Sequence, residues 1–182
     1  IKSKTVYNLT KIPTISDDTG LYVDVLNGDP GIFSARYAGE NCSYYDNVNK
    51  LLKEMENIPP KMRSALFRTA IAYVDENMEL TTEGLVEGLI TDVTIGTNGF
   101  GYDSVFYIQD MKKTYAEMSM NEKNQISHRG IAVRNMQKLL KNVSSKVNQW
   151  TMKLYFISSE NWAILCGIGL MLVGLLALIL IK

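Results

Sequence analysis

The hydrophobic and polar positions near the start of the chain alternate in short runs, which predict strands followed by a helix. Lys11–Ser16 is a short β-type run, and Leu21–Leu26 alternates as a half-buried strand does. Within Val48–Glu56 the apolar residues recur at spacings of three and four, which predicts an amphipathic helix. Pro59 and Pro60 follow and prevent its continuation, because proline lacks the amide hydrogen that a helix interior needs.

The middle of the chain predicts further strands, and a long helix follows them. The predicted strands are Arg63–Val74, one or two within Leu80–Thr94, and Ser104–Ile108 after the glycine-rich loop Gly96–Asp103. Residues 114–127 are expected to form a turn and a loop, and His128–Val147 a long helix. This mixture of strands and helices, without repeats, indicates an α/β or α+β domain.

The end of the chain has a different character. Residues 161–181 carry no charge, and Ala163–Ile181 approaches the length that crosses a bilayer as a helix. We predict a folded domain over 1–147, a juxtamembrane linker over 148–161 and a transmembrane helix over 162–182. More lysines precede this span than follow it, which favours a cytoplasmic position for the domain. The alternative is a buried core helix, although the segment has no polar stripe.

Composition removes several classes of function. The 19 Lys and Arg residues balance 19 Asp and Glu residues, so no excess of positive charge favours a nucleic-acid partner. The two cysteines lie far apart and outside any Cys/His cluster, which excludes a zinc site built on thiolates. P-loop and HExxH motifs are also absent from the sequence.

Two adjacent carboxylates, Asp17 and Asp18, follow the first predicted strand and precede Thr19 and Gly20. Carboxylates leaving a strand in this way can hold Mg²⁺ and orient a water molecule. The competing interpretation is a turn with Asx-type hydrogen bonds, and this segment taken alone favours the turn.

Two glycines flank Phe100 in the segment Gly99–Asp103. They allow the backbone and the ring to approach a flat ligand closely, while Asp103 offers an acceptor beside the ring. A nucleobase needs this combination of a stacking face and an edge partner. The alternative is a glycine-rich hairpin turn, and the GxGxxG spacing of a dinucleotide site is absent.

A third segment, Glu122–Gly130, gathers hydrogen-bond donors. Lys123, His128 and Arg129 suit phosphate oxygens and base carbonyls. A lone histidine is often only a structural residue, but this one stands at the predicted start of a helix, where anions bind favourably. The two interpretations are about equally favoured by the pattern.

Together these segments resemble a known family. The blocks SDDTGLYVDVLNGDPGIFSARYAGE, NVNKLLKEM, GTNGFGYDSVFY and AEMSMNEKNQISHRGIAV, in this order, closely resemble the Ham1/RdgB-like nucleoside triphosphate pyrophosphatases, also called inosine/xanthosine triphosphate pyrophosphatases. The resemblance runs from about Ile1 to Leu140. It implies an ITPase-like, two-lobed α/β fold around an elongated mixed sheet, a homodimer, and Mg²⁺-dependent cleavage of deaminated purine triphosphates to the monophosphate and pyrophosphate.

The resemblance also implies roles for individual residues. Asp18 would be the base that activates water and a metal ligand, with Asp17 beside it at the metal. Thr19 takes the place of a serine that contacts substrate in the family's usual DDSG. The remaining substrate-binding positions would be Phe100, Gly101, Tyr102, Asp103, Lys123, His128 and Arg129. Inosine and xanthosine carry a carbonyl at position six that accepts from His or Arg donors, whereas adenine presents an amino group there.

The chain departs from the family pattern at both ends. The family's first strand, its Gly-Asn-x-x-Lys-like phosphate loop and a metal-binding Glu precede the aspartate pair, and they are missing from this sequence. We therefore expect the chain alone to turn over substrate poorly. The family also does not normally end in a membrane span. The alternative function is a catalytically inactive, membrane-anchored module for nucleotide binding or protein interaction, and a further alternative is an ordinary soluble enzyme with an accidental tail.

Overall fold

The structure, a computed structural model, describes residues 1–146. The helices in this range are α1 (Lys2–Thr10), α2 (Tyr44–Glu54), α3 (Met120–Ile126) and α4 (His128–Lys146). The strands are β1 (Thr14–Val23), β2 (Pro30–Gly31), β3 (Ser64–Val74), β4 (Glu79–Ile90), β5 (Phe106–Ile108) and β6 (Lys113–Thr114). The fold is therefore α/β.

The strands form one six-stranded sheet in the order β2-β1-β3-β4-β5-β6. The β1–β2, β4–β5 and β5–β6 pairs are antiparallel, with Leu21 opposite Gly31 and Ile90 opposite Phe106. Glycine-rich and turn segments connect the short strands at the edges, whereas the long strands β1, β3 and β4 occupy the middle of the sheet.

The chain divides into two compact units. Of the described residues, the first contains Ile1–Asp17, Ile71–Thr82 and 136–146, and the second contains Asp18–Ala70 and Glu83–Asn135. In the first unit, Lys4 of α1 forms an exposed ion pair with Glu79 at 2.6 Å. Such an exposed pair contributes about 0–1 kcal/mol, so it does not by itself hold the unit together.

The second unit has an apolar core that supports the candidate site. The core contains Leu21, Phe67 and Phe106. One face of α2 and two residues that follow β5, Tyr115 and Met118, complete it. Phe67 packs on the edge of Phe106, with ring centroids 4.6 Å apart and an interplanar angle of 65°. Aromatic pairs in this edge-to-face arrangement stabilise a core beyond their buried area. Residues that project from this core are consequently held on a rigid base.

A buried arginine ties three segments of this unit together. The Arg63 guanidinium donates to the carbonyl oxygens of Met55, Ile58 and Thr91 at 2.7, 3.0 and 2.8 Å. It thereby joins the end of α2 to the start of β3 and the end of β4. A buried guanidinium needs such partners, because an unpaired buried charge costs several kcal/mol, on the order of 3–5.

The structure confirms some predicted elements and corrects others. The predicted strand Arg63–Val74 is β3, and the predicted helix from His128 is α4 as far as it is described. The prediction that the aspartate pair follows a strand is wrong, since β1 runs without interruption from Thr14 to Val23. Strand β1 lies between β2 and β3 in the sheet and continues past the aspartate pair to its bridges with β2 at Leu21 and Tyr22, so the polar side chains do not end it.

Residues 114–127 contain a helix that the sequence pattern missed. Ser119 caps α3: its Oγ accepts from the Glu122 amide at 3.2 Å, and the Glu122 carboxylate accepts from the Ser119 amide at 2.8 Å. This reciprocal capping box starts a helix without an apolar stripe. The same device, with Ser43 and Asp46, starts α2 at Tyr44, earlier than the apolar spacing predicted.

The predicted linker over 148–161 and the predicted span over 162–182 lie outside the described residues. Among residues 1–146, no helix combines the length and the apolar character needed to cross a bilayer.

Candidate active site

Strand β1 presents the aspartate pair and Thr19 on alternating sides. Successive side chains of a strand point to opposite faces, so Asp17 and Thr19 share one face and Asp18 lies on the other. The Lys2 ammonium donates to the Asp17 carbonyl oxygen at 3.2 Å. The two adjacent carboxylates therefore do not form a pair on one face.

Asp18 opens into a small hollow in the second unit. The hollow has a volume of about 170 Å³ and is lined by Asp18, Gly20, Tyr22, Ile32, Arg68, Ala70 and Glu83. Within it, the Arg68 guanidinium forms an exposed ion pair with Glu83. Asp18 thus has room beside it for a small polar ligand, with a cation close by.

On the other face, Thr19 joins β1 to two distant segments. Its hydroxyl lies 2.7 Å from the Thr69 hydroxyl, and it accepts from Nη2 of Arg129 at 3.1 Å. A charged donor makes a stronger hydrogen bond than a neutral one. This contact therefore fixes one edge of the Arg129 guanidinium.

The loop around Phe100 is closed by a carboxylate. The Phe100 amide donates to Oδ2 of Asp103 at 2.8 Å, while Gly99 and Gly101 have φ angles of 79° and 61°. A Cβ on Gly99 would lie 2.1 Å from the same Oδ2. The loop consequently requires glycine at this position, both for its backbone angles and for the approach of Asp103.

Lys123 pairs with this carboxylate and lies over two rings. Its ammonium forms an ion pair with Asp103, which is 4% exposed, and lies 5.1 Å from the Phe100 centroid and 5.3 Å from that of Tyr115. The Arg129 guanidinium carbon lies 6.0 Å from the Phe100 centroid. Two cations, one carboxylate and a half-exposed ring thus meet at one place.

His128 is as deeply buried as Asp103. It is 4% exposed, and its ring stacks on Phe67 with centroids 4.4 Å apart and an interplanar angle of 15°. Burial, with smaller contributions from the Arg129 and Lys123 charges, lowers the pKa of His128 to about 3. The imidazole is therefore neutral at physiological pH.

The backbone of His128 is held as tightly as its ring. A Cβ on Gly84 of β4 would lie 2.0 Å from the His128 carbonyl oxygen and 2.6 Å from the Ala132 amide nitrogen. Only glycine allows β4 to approach the first turn of α4 so closely. This contact fixes the start of the helix that carries His128 and Arg129.

Tyr102 differs from the other predicted binding residues. Its side chain is buried in the core, and its hydroxyl donates to the Ser34 carbonyl oxygen at 2.9 Å. The ring therefore packs in the core beneath the Phe100 loop. The resemblance had implied that Tyr102 is a substrate-binding position.

A second hollow borders the Phe100 loop on the side of α2. It has a volume of about 290 Å³ and is lined mainly by residues 96–101 together with Tyr44, Tyr45, Val48, Asp103 and Ser104. The Tyr44 ring lies 6.0 Å from that of Phe100 at an angle of 42°. Aromatic residues consequently border the loop on a side that the sequence analysis did not consider.

The acidic side chains of the described residues do not form a preassembled metal site. Among residues 1–146 there is no group of three or more His, Cys, Asp or Glu side chains that could hold a metal ion. Mg²⁺ is usually held by one or two carboxylates together with substrate phosphates and water. An exposed carboxylate such as that of Asp18, beside an open hollow, suits this mode of binding.

Comparison with known proteins decides the family. The model described as the Ham1 family matches residues 1–139. This chain belongs to the Ham1 family. Within that range lie all the site residues that the sequence analysis named.

This Ham1-family chain is similar to proteins named as pyrophosphatases and to solved structures. It is 50% identical to a dITP/XTP pyrophosphatase of Thermoanaerobacter pseudethanolicus over 133 residues, which are 72% of the chain and 67% of the relative. It is also 50% identical to a dITP/XTP pyrophosphatase of Bacillus licheniformis over 141 residues, 77% of the chain and 72% of the relative. The structure of the Staphylococcus aureus Ham1 protein is similar, with a TM-score of 0.74 and 42% identity over 77% of this chain and 72% of that one.

The structure of this Ham1-family chain adds residues that the sequence analysis missed. Thr69 extends the hydroxyl chain from Thr19, Phe67 supports His128, and Lys2 contacts the backbone of Asp17. Thr69 and Phe67 lie within a predicted buried strand, so nothing in the local pattern distinguishes them from core residues. Their roles depend on contacts with segments that are distant along the chain.

Proposed function

We propose that this Ham1-family chain hydrolyses deaminated purine nucleoside triphosphates, namely those of inosine, deoxyinosine and xanthosine, to the monophosphate and pyrophosphate. The observation that carries the proposal is the meeting of Phe100, Asp103 and Lys123 at one half-exposed ring. The names of the relatives, dITP/XTP pyrophosphatases at 50% identity, support the same substrate class.

The base would stack on Phe100 and present its edge to the donors at the start of α4. A carbonyl at position six accepts a hydrogen bond from His128 or Arg129, whereas the amino group of adenine would place a donor against a donor. Sites built to satisfy a polar edge reject analogues that leave their buried groups unpaired. Adenosine triphosphate is therefore excluded by the same residues that bind inosine triphosphate.

The aspartate pair would serve the hydrolytic step. Asp18 would accept a proton from the attacking water, whose oxygen bonds to the α-phosphorus while the bond to the pyrophosphate leaving group breaks. Thr19, on the opposite face of β1, would act by holding the Arg129 guanidinium through its hydroxyl. The exposed position of Asp18 beside the hollow supports its access to water.

A divalent metal, Mg²⁺ in our proposal, would be held by the Asp18 carboxylate and by the phosphates themselves, since the Asp17 side chain lies on the opposite face of β1. When bound, it would neutralise charge on the phosphate oxygens.

Two broader expectations accompany this function. The family resemblance implies a homodimer. From the apolar composition of residues 162–182 we also propose that the protein is attached to a membrane, with its folded domain on the cytoplasmic side.

Pyrophosphate release by the full chain tests the function. With Mg²⁺ present, release from inosine and xanthosine triphosphates should exceed release from adenosine triphosphate. Nucleotide binding is measured in the same samples, so that a chain with low turnover is still tested. Failure to bind any of the deaminated nucleotides contradicts the proposal.

Matched aspartate variants separate the two carboxylates. Asp18→Asn keeps the size of the side chain and removes the proton acceptor, so release should fall by about 10²–10⁴-fold, the usual contribution of a general base. Asp17→Asn is the control on the opposite face of β1, and it should cost less. The reverse order would assign the base to Asp17.

The alternative is a nucleotide-binding module without catalysis. It predicts selective binding of inosine nucleotides, no pyrophosphate release, and no difference between the two aspartate variants. The open hollow beside Asp18 favours the enzyme, because a module that only binds the base has no need of a carboxylate there.

A further inference from the structure

The chain contains a single histidine, and its imidazole has an unusual environment. The His128 ring lies almost parallel to Phe67, at 4.4 Å and 15°, and Tyr115 lies 5.9 Å away at 39°. Phe67 is itself held by Phe106 and Tyr115, at 4.6 and 6.0 Å. The surface on which the imidazole rests is thus part of the rigid core rather than of a loop.

The two ring nitrogens of His128 are not equivalent. Within the described chain, Nδ1 is buried and has no hydrogen-bond partner. A neutral imidazole carries one N–H group and one lone pair. A buried N–H without an acceptor is rarer in proteins than a buried acceptor without a donor. The proton is therefore expected on Nε2, which leaves Nδ1 as the unpaired acceptor.

The charged groups around the ring disfavour a second proton. Lys123 and Arg129 are the cations that act on His128, and Asp103, the nearby carboxylate, is already paired with Lys123. An imidazolium would need partners for two N–H groups, and one of them would be the buried Nδ1. The neutral form with hydrogen on Nε2 consequently has the fewest unsatisfied contacts.

From this geometry we propose that Phe67 is a positioning residue for substrate choice: its ring fixes the plane of His128 so that Nε2–H is a permanent donor to a purine carbonyl at position six. The inference rests on the proposed function, because it assumes that a 6-oxopurine occupies the site beside His128. It adds a residue that makes no contact with substrate and acts only through the imidazole.

The single histidine allows a direct spectroscopic test. In protein labelled with ¹⁵N-histidine, the wild-type ring should show a protonated Nε2 and an unprotonated Nδ1, without change between pH 5 and pH 8. A ring that titrates in this interval, or that carries its proton on Nδ1, would overturn the proposal without any substitution.

Variants of Phe67 test the link to base selection. Phe67→Leu removes the stack, so the ring should populate both tautomers. The preference for inosine over adenosine monophosphate should fall by about tenfold, the loss that corresponds to one buried hydrogen bond. These monophosphates are not cleaved, so binding alone is measured. Phe67→Tyr keeps the ring and should restore both properties.

Phe106→Leu is the matched control. Phe106 belongs to the same aromatic core and packs on Phe67, but among the described ring pairs it does not stack on His128. Its loss should lower stability but change the tautomer and the base preference much less than Phe67→Leu does, because its ring does not contact the imidazole. If Phe67→Leu and Phe106→Leu alter base preference equally, Phe67 has only a structural role and the inference fails.

Failure of the inference and failure of the function are distinguishable. If wild-type protein binds neither monophosphate nor the triphosphates, the proposed function fails, and base selection through Phe67 fails with it. If inosine nucleotides bind selectively and Phe67→Leu leaves that selectivity intact, the function stands and only the inference is wrong.

Discussion

Arg129 donates to the Thr19 hydroxyl at 3.1 Å, although the two residues are separated by 110 positions. This bond joins the first turn of α4 to the segment of β1 that carries the aspartate pair. Thr69 lies 2.7 Å from the same hydroxyl on its other side. The donors expected at the base edge are therefore linked directly to the strand expected to serve the phosphates.

The Thr19 hydroxyl can be tested by near-isosteric replacement. Thr19→Val keeps the shape and removes the acceptor, so Arg129 loses a charge-assisted hydrogen bond of about 1.5–3 kcal/mol. We expect affinity for inosine monophosphate, measured by calorimetry, to fall by about tenfold or more. Thr19→Ser keeps the hydroxyl and should stay near wild type. A loss of affinity in Thr19→Ser but not in Thr19→Val would show that the methyl group, not the hydroxyl, matters.

The Asp103–Lys123 ion pair should be more costly to break on one side than to remove entirely. Lys123→Met leaves the buried Asp103 carboxylate without its cation, a change that typically costs about 3–5 kcal/mol. Adding Asp103→Asn removes the stranded charge and should recover part of that loss. Urea unfolding of both single variants and the double variant measures the coupling. Strictly additive losses would contradict an interaction between the two groups.

Gly84 should tolerate no side chain. In Gly84→Ala the new Cβ would lie 2.0 Å from the His128 carbonyl oxygen, so β4 or the start of α4 must move. We expect a loss of about 1–3 kcal/mol in thermal unfolding, together with weaker nucleotide binding. Gly39→Ala is the control: its Cβ meets nothing within 4 Å, and its φ of 127° adds only backbone strain. That variant should lose less stability and retain binding.

The buried His128 should make the free energy of unfolding depend on pH. Its pKa is about 3 in the folded chain against an ordinary value of 6.5, so between these values the unfolded chain binds more protons. The free energy of unfolding therefore falls as pH drops from about 6.5 towards 3, and rises in the opposite direction. His128→Gln cannot titrate, and its stability should depend less on pH across this window. Identical slopes for the two proteins would contradict the buried neutral imidazole.

The apolar end of the chain predicts partition into membranes. Deleting residues 162–182 should move the protein from the membrane fraction to the soluble fraction, because that segment supplies the uncharged stretch. Leu172→Arg is a milder variant that weakens insertion by about 2.5–3.5 kcal/mol. A full chain that stays soluble and monodisperse without detergent would show that the segment does not anchor the protein.

The local sequence pattern was sufficient to predict an element where residues adjacent along the chain decide its structure. The apolar run of Arg63–Val74 predicted β3, and the change of period at His128 predicted the start of α4. The glycines around Phe100 predicted a loop, because positive φ angles are a property of single residues, but not that Asp103 closes it. Helix α3 was missed because capping by Ser119 and Glu122, not an apolar period, starts it.

The sequence by itself determined the family, the long strand β3, the start of α4, and the set of polar residues that gather around Phe100. The face on which Asp18 lies, the burial of Tyr102 and the stack of His128 on Phe67 were decided only by the tertiary structure. Each depends on which distant strand or helix packs against the residue. Packing between distant segments sets side-chain direction and burial, and a one-dimensional period carries no information about which segments meet.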